Sequence, residues 1–203
     1  MKQVRKMSLY VISGLAGLIL LGGCAWIFYA QNVEQPSYTL ERAAGAIEVR
    51  AYPELVVAEV TRPGQRYDAV RSGFGPLARY IFAREREGDK IAMTAPVTQR
   101  ADQPDGDWSV QFIMPSHYTL EDLPDPANAD VTLRNLPAQR RAAIRFSGVA
   151  TDASIAEQET LLRDWMAAEG LQPLGAPIYA YYNDPWTPGF LRRNEVLFDL
   201  PEG

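Results

Sequence analysis

The chain has 203 residues, one cysteine, one histidine and a formal net charge of -5. A single cysteine excludes an internal disulfide and a thiolate metal cluster. An acidic chain is a poor partner for nucleic acid, which rewards clusters of lysine and arginine.

The first thirty residues form an apolar segment with a basic start. Lys2, Arg5 and Lys6 precede an apolar run over residues 7–30, which at about 1.5 Å per residue can cross a bilayer core of roughly 30 Å. The positive-inside rule then predicts a cytoplasmic N-terminus and a periplasmic domain at a bacterial inner membrane. These three residues are among the 20 basic residues and none of the 25 acidic residues precedes Gln31, so the remainder carries a formal charge of -8.

Two kinds of membrane attachment fit this segment. The motif Leu21-Gly22-Gly23-Cys24 resembles a lipoprotein cleavage box, in which the cysteine is lipidated. The apolar run nevertheless continues to residue 30 with Trp26 and Tyr29, which suit the interfacial belt of an uncleaved signal anchor. We therefore expect residues 1–30 to be a signal anchor or a lipoprotein signal, with a cleaved soluble form as a third alternative. Residues 31–37 read as a linker, and residues 38–203 as the folded domain.

The first part of the domain alternates strand and helix patterns. Residues 47–60 alternate apolar and polar side chains around Pro53, which predicts a pair of edge or bulged strands. A helix is predicted over residues 67–83, with a kink near Pro76. Its apolar positions recur at spacings of three and four: Tyr67, Val70, Phe74, Leu77 and Ile81.

A predicted hairpin closes this part of the chain. A strand starts after Gly88-Asp89 and covers residues 90–99, and a second strand begins at Trp108. The turn residues Pro104-Asp105-Gly106 lie between them. Residues 116–130, rich in proline, aspartate and asparagine, predict a surface loop.

The second part repeats the order of the first. Two strands are predicted around a turn at Pro137, followed by a helix over residues 151–170 and an aromatic hairpin over residues 176–200. The order of elements in Ile47–Pro115 thus returns in Val131–Leu200. This repetition predicts a pseudo-twofold α+β domain, a curled antiparallel sheet tending to a distorted β-barrel with two packed helices. A cleft between the halves is the natural ligand site.

Four blocks of sequence resemble the SOUL family of haem-binding proteins. They are GFGPLARYIF (residues 73–82), KIAMTAPV (90–97), FIMPS with YTLEDLP (112–116 and 118–124), and PWT with RRNEV (185–187 and 192–196). The resemblance implies a distorted barrel of two repeats, related to the gyrase-inhibitor-like effector-binding domains. It also implies a haem or similar tetrapyrrole ligand, held without covalent attachment, and no chemistry common to all members.

The resemblance directs attention to an apolar wall and a cationic rim. The only histidine, His117, lies in the polar loop, so we expect contact rather than iron ligation; Met93, Met114, Tyr179 and Tyr181 are better explained as core residues than as axial ligands. Each wall residue is also explained, and more simply, as an ordinary core residue. The candidate ligand-binding residues are Phe74, Leu77, Ile81, Met93, Tyr181, Trp186, Arg192, Arg193 and Glu195.

Glu195 supports an alternative reading. In the related effector-binding domains a buried glutamate among aromatic residues binds organic cations and in some members assists hydrolysis. Glu195 would then have a raised pKa through desolvation. Alternatively it pairs with Arg192 or Arg193, which point to opposite faces if both lie on a strand. Nucleophile triads, metal-ligand spacings and phosphate loops are not apparent in the sequence, so we expect a binding protein rather than an enzyme.

Overall fold

The computed structural model describes residues 33–101 and 106–202, and Glu34–Gly203 forms one compact unit. The strands are β1 (Thr39–Ala44), β2 (Ile47–Tyr52), β3 (Leu55–Arg62), β4 (Val97–Ala101), β5 (Trp108–Ile113), β6 (Thr132–Leu136), β7 (Gln139–Phe146), β8 (Leu174–Tyr181) and β9 (Asn194–Asp199). The helices are α1 (Arg66–Ile81) and α2 (Asp152–Ala168), and a 3-10 turn spans Gly189–Leu191.

All nine strands belong to one antiparallel sheet in the order β1-β2-β7-β9-β8-β4-β5-β3-β6. The two halves meet where β4 pairs with β8. The halves exchange strands: β2 of the first half pairs with β7 of the second, and β6 of the second half pairs with β3 of the first. The predicted internal repeat and α+β class are therefore confirmed. Within the described residues the edge strands β1 and β6 do not pair, so the curled sheet is not a closed barrel.

Each helix covers one half of the sheet. Helix α1 packs on β3 and β5, and α2 packs on β7 and β9. The hydroxyl oxygen of Thr151 accepts a hydrogen bond from the backbone N–H of Ser154 over 3.1 Å, which caps the start of α2. Two apolar cores result, one under each helix.

The buried face of α1 differs from the predicted one. Its buried residues are Arg66, Ala69, Gly73, Pro76, Leu77, Tyr80 and Ile81. Tyr67 and Phe74, predicted to share the apolar face with Leu77, are instead 62% and 45% exposed. Gly73 explains the difference: a Cβ at this position would lie 3.0 Å from Cβ and Cγ2 of Val110. The absence of a side chain lets the helix approach the sheet at Gly73, which turns Phe74 outward.

The hairpins are confirmed, with one boundary corrected. Strand β4 pairs with β5 and β8 pairs with β9, whereas the turn residues 102–105 lie outside the described residues. The predicted strand over residues 90–99 begins only at Val97. Pro96 has no N–H to donate to a ladder, and the backbone N–H of Ala95 instead donates to the carbonyl of Glu34 over 2.9 Å. Residues 116–130 form the predicted loop.

The N-terminal predictions fall largely outside the structure. Residues 1–32, which include the predicted anchor, are not among the described residues. Of the helices that are described, none has the length and apolar character needed to span a bilayer. Two residues of the predicted linker contact the domain: Glu34 accepts a hydrogen bond from the backbone N–H of Ser116 over 2.7 Å, and Gln35 accepts one from Arg193 over 3.0 Å.

Candidate binding site

Helix α1 presents an aromatic stripe to solvent, formed by Tyr67, Arg71 and Phe74. These residues are four and three positions apart, so they lie on one side of the helix. Arg71 is exposed, like both aromatic residues. The Phe74 ring packs edge-on against the ring of Phe112 on β5, with 5.2 Å between centroids and 65° between planes. The α1 stripe therefore offers a half-open aromatic surface, with Arg71 on the same side of the helix as Tyr67 and Phe74.

An apolar row continues from this stripe across the middle of the sheet. Phe112 is paired with Val97 on β4, and Val97 is paired with Tyr181 on β8. Paired residues point to the same face of a sheet. Val97 packs against the first core and Tyr181 against the second. The row thus joins the two halves on the face that the helices cover.

Arg66 holds the hydroxyl group of Tyr181, the residue at the β8 end of this row. It donates to the hydroxyl of Tyr181 over 2.7 Å and to Oδ1 of Asp152, also over 2.7 Å. Tyr181 in turn donates to Oε1 of Gln99 over 3.2 Å. Burial raises the pKa of Tyr181 above the ordinary tyrosine value. This arrangement ties the first turn of α1 to the first turn of α2.

The sequence analysis missed Arg66, although a signal was present. Arg66 lies three positions before Ala69 and seven before Gly73, in phase with the buried side of α1 rather than with its exposed side. A charged residue in phase with a buried face requires a partner. Its partners are 86 and 115 positions away in the sequence, so the pattern marks the residue but not what it binds.

The predicted apolar wall divides into core and surface residues. Leu77 and Ile81 are 0% and 2% exposed and belong to the core under α1. Phe74 and Met93 are 45% and 48% exposed. Of these four residues, only Phe74 and Met93 offer contact area to a ligand in this conformation.

The predicted turn around Trp186, between β8 and β9, is an exposed loop held by internal hydrogen bonds. The side chain of Trp186 is 83% exposed. Arg192 donates from Nε to the carbonyl of Thr187 over 2.7 Å and from Nη2 to the carbonyl of Pro185 over 2.5 Å. Asp184 accepts from the backbone N–H of Trp186 over 2.7 Å. Arg192 is thus held by the loop's own carbonyls.

Glu195 is the centre of a buried charge network on the other face of the sheet. It is 1% exposed. Arg50 donates to both of its carboxylate oxygens, over 2.7 and 3.0 Å. Arg193 donates to Oε1 over 2.7 Å, and the Tyr182 hydroxyl donates to Oε2 over 2.9 Å. The expected pairing with Arg193 is present, while Arg192 takes no part in it.

The expected raised pKa of Glu195 is wrong. Burial alone would raise it, but the hydrogen bonds and charge of Arg50, aided by Arg193, hold the pKa of Glu195 below the ordinary glutamate value. The sequence analysis missed Arg50 as a partner. The alternation of β2 places Arg50 on the same side as Glu48 and Tyr52, and both of these contact it, over 2.6 and 3.0 Å.

A metal site made by protein side chains is not found in residues 33–101 and 106–202. No group of three or more histidine, cysteine, aspartate or glutamate residues there has the geometry to hold an ion. His117 is exposed, and its ring centroid lies 4.3 Å from that of Tyr118. The features that fit a flat, apolar and anionic ligand are the α1 stripe and its contact with Phe112.

Comparison with known protein families assigns the chain to a family. The profile of the family described as SOUL heme-binding protein matches residues 33–199. The chain belongs to the SOUL heme-binding protein family. Heme-binding protein 2 of Homo sapiens is 28% identical to it over 178 residues, which cover 82% of this chain and 86% of the human protein.

Solved structures of other proteins share this fold. The C-terminal domain of EcmrR is similar with a TM-score of 0.61 and 13% identity, over 82% of this chain and 99% of that domain. A protein from Listeria innocua described as a hydrolase is similar with a TM-score of 0.53 and 16% identity, over 79% of this chain and 94% of the other. At this identity the likeness shows the shared fold alone.

Proposed function

We propose that this protein binds haem or a similar porphyrin, without covalent attachment, on the α1 stripe. Membership of a family described as heme-binding supports the ligand class. The observation that supports the location is Phe74, whose ring is half exposed yet held edge-on against Phe112. A flat macrocycle can cover Phe74 and Tyr67 together, and aromatic side chains supply large contact areas at a fixed geometry.

The proposed mode is apolar contact with a cationic rim rather than iron ligation. Arg71 lies between Tyr67 and Phe74 and can pair with a porphyrin carboxylate, which would be a charge-assisted contact. This role replaces the one expected of Arg192 and Arg193, which bind loop carbonyls and Glu195 respectively. When bound, haem would supply the iron chemistry, whereas the chain's own residues would hold and orient the ring.

We propose further that residues 1–30 tether this domain to the bacterial inner membrane, with the N-terminus in the cytoplasm and the domain in the periplasm. The basic start and the apolar run over residues 7–30 support this placement. A periplasmic domain cannot rely on disulfides here, because Cys24 is the chain's single cysteine. Its apolar packing comprises the cores under the two helices and a third cluster around Tyr52, Ile178 and Leu197.

The porphyrin proposal is tested by titrating residues 31–203 with haemin and following the Soret band. We expect saturable binding of one haemin per chain. Replacing Phe74 by alanine removes aromatic contact worth about 1.5–3 kcal/mol, so Phe74→Ala should weaken binding about tenfold or more. Leu161 on α2 is 48% exposed and provides a matched control: Leu161→Ala should leave affinity unchanged. Equal haemin affinities of the two variants would show that haemin binds away from the α1 stripe. Absence of saturable binding would contradict the proposal that the protein binds haem.

The alternative reading, a binder or hydrolase of organic cations at Glu195, has less support. Both carboxylate oxygens of Glu195 already accept hydrogen bonds from guanidiniums. A ligand cation would have to displace Arg50, a residue that is 1% exposed. Removing one partner of such a buried pair is strongly unfavourable. The network therefore supports a structural role for Glu195.

A further inference from the structure

The face of the sheet opposite the helices contains a cleft that the porphyrin proposal does not use. On β5, Val110 and Phe112 point into the core under α1, so Ser109 and Gln111 point to the other face. These two residues belong to the lining of a cleft with a volume of about 330 Å³. Sites for small molecules occupy about 300–1,000 Å³. The cleft is therefore large enough for a small organic ligand.

The charges around this cleft do not balance. Three guanidiniums line it, those of Arg100, Arg134 and Arg141. Asp199 accepts from both Arg100 and Arg141, the latter over 2.8 Å. Glu59 accepts from Arg134 over 2.7 Å. Two carboxylates thus serve three guanidiniums, which leaves one positive charge for a further anion.

Two buried donors in the cleft also lack partners among the described residues. They are Nε of Arg100 and Oγ of Ser109. Ser109 is 4% exposed, so its hydroxyl is largely removed from bulk solvent. Arg100 and Ser109 are paired directly across β4 and β5, and paired side chains lie side by side on one face. Buried donors without acceptors are costly and rare, so a ligand that supplies acceptors to these two would be favoured.

Part of the lining is apolar. Leu136 from β6 and Ile178 from β8 line the cleft, together with Gly175 and Ala176. Ile178 is paired with Arg100 across β8 and β4. A ligand whose anionic group meets Arg100 would therefore have its carbon skeleton beside Ile178.

From these observations we infer that the cleft binds a small organic anion, a carboxylate or a phosphate monoester. The oxygens of its anionic group accept from Nε of Arg100 and from the hydroxyl of Ser109. Arg141 and Arg134 supply the surrounding positive potential. The carbon skeleton packs against Leu136 and Ile178. The site lies on the opposite face of the sheet from the α1 stripe, so it is independent of porphyrin binding.

Calorimetric titration of the full chain at constant ionic strength tests this inference. The probes are benzoate, phenyl phosphate and inorganic phosphate. We expect saturable 1:1 binding of benzoate or phenyl phosphate, and the tighter of the two identifies the anionic group. Inorganic phosphate should bind at least tenfold more weakly than phenyl phosphate because it lacks a carbon skeleton. Failure of both organic probes to saturate, or equal binding of the two phosphates, would overturn the inference.

Variants of the cleft residues test where the organic anion binds. Ser109→Ala removes one small hydroxyl and should weaken the organic anion's affinity about 2- to 10-fold, the range for one hydrogen bond. Arg100→Gln should weaken it further, and Arg163→Gln, on the exposed side of α2, should not change it. Because Arg100→Gln also loses the contact with Asp199, a ligand-dependent shift of the Arg100 Nε–H resonance in the unmodified protein provides a second measurement. Unchanged affinity in Ser109→Ala together with an unshifted Arg100 resonance would contradict the assignment.

Discussion

Nη1 of Arg50 donates to Oε2 of Glu195 over 2.7 Å, although the two residues are 145 positions apart in the chain. Each is 1% exposed. The contact joins β2, from the first half, to β9 in the second half through the intervening β7. It therefore stabilises the strand exchange that holds the two halves together.

Removing the charge of Glu195 should destabilise the fold strongly. Glu195→Gln removes the buried carboxylate that pairs with both Arg50 and Arg193, and Arg50 keeps only the carboxylate of Glu48. Breaking a buried ion pair on one side costs about 3–5 kcal/mol. The matched control is Asp130→Asn, which breaks the pair between Arg62 and a 59% exposed side chain. A surface pair of this kind contributes about 0–1 kcal/mol. Urea unfolding measures both, and a loss below about 1 kcal/mol in Glu195→Gln would contradict the structural role of the network.

The same network predicts the pH dependence of stability. The pKa of Glu195 in the folded protein lies below its ordinary value of 4.5. Between these two pKa values the unfolded chain binds more protons than the folded one, so the free energy of unfolding rises with pH. Glu195 therefore stabilises the fold above about pH 4.5 and loses this effect as the pH falls through its lowered pKa.

Unfolding series at successive pH values below 5 measure this effect. The free energy of unfolding should fall less steeply with decreasing pH in Glu195→Gln than in the unmodified protein. Other carboxylates titrate in both proteins, so the difference between the two curves isolates Glu195. Parallel curves would show that the pKa of Glu195 is not lowered.

The two glycines of α1 should respond in opposite directions to alanine. Gly73→Ala places a Cβ 3.0 Å from Val110 and 3.1 Å from Val60, and overpacking of this kind costs typically about 1–3 kcal/mol. Gly75→Ala meets only the flexible end of Arg79 at 3.4 Å. It should gain up to about 1 kcal/mol from helix propensity. Denaturant unfolding of the pair tests the close approach of α1 to the sheet, and stabilisation by Gly73→Ala would contradict it.

The N-terminal segment can be tested by fractionation and mass spectrometry in a bacterial host. An uncleaved anchor predicts a full-length chain in the inner membrane whose mass and location are unchanged by Cys24→Ser, apart from the substitution itself. A lipoprotein predicts a shorter, lipidated chain that Cys24→Ser converts to an unprocessed form. Recovery of the full-length chain in the soluble fraction would contradict the proposed tether.

Short-range patterns in the sequence predict most of the local structure. Apolar spacing indicates both helices, and turn residues indicate the two hairpins, because these signals depend on neighbours in the chain. The exchange of β2 and β6 between the halves could not be predicted in this way, since strand pairing over long separations leaves no local signal. The ion pairs of Arg50 with Glu195 and of Arg66 with Asp152 could not be predicted for the same reason.

The candidate site was predicted less completely than the fold. Periodicity grouped Phe74 with Leu77 and Ile81, whereas the structure separates an exposed ring from two core residues. The reason is Gly73. Because this residue has no side chain, α1 packs closely on the sheet at Gly73, and the neighbouring Phe74 points outward. Arg192 and Arg193 are expected to point to opposite faces if both lie on a strand, but both precede β9, which begins at Asn194. Their partners are loop carbonyls for Arg192 and a buried carboxylate for Arg193.

Parallel titrations of residues 31–203 with haemin and with metal-free protoporphyrin IX test most directly whether a porphyrin is held by contact. If the ring is bound through the α1 stripe and its carboxylates through Arg71, both ligands should saturate at one per chain. Their dissociation constants should agree within about tenfold, a difference of about 1.4 kcal/mol. Saturable binding of haemin alone would show that iron ligation dominates, and absence of saturable binding by either ligand would contradict the proposed function.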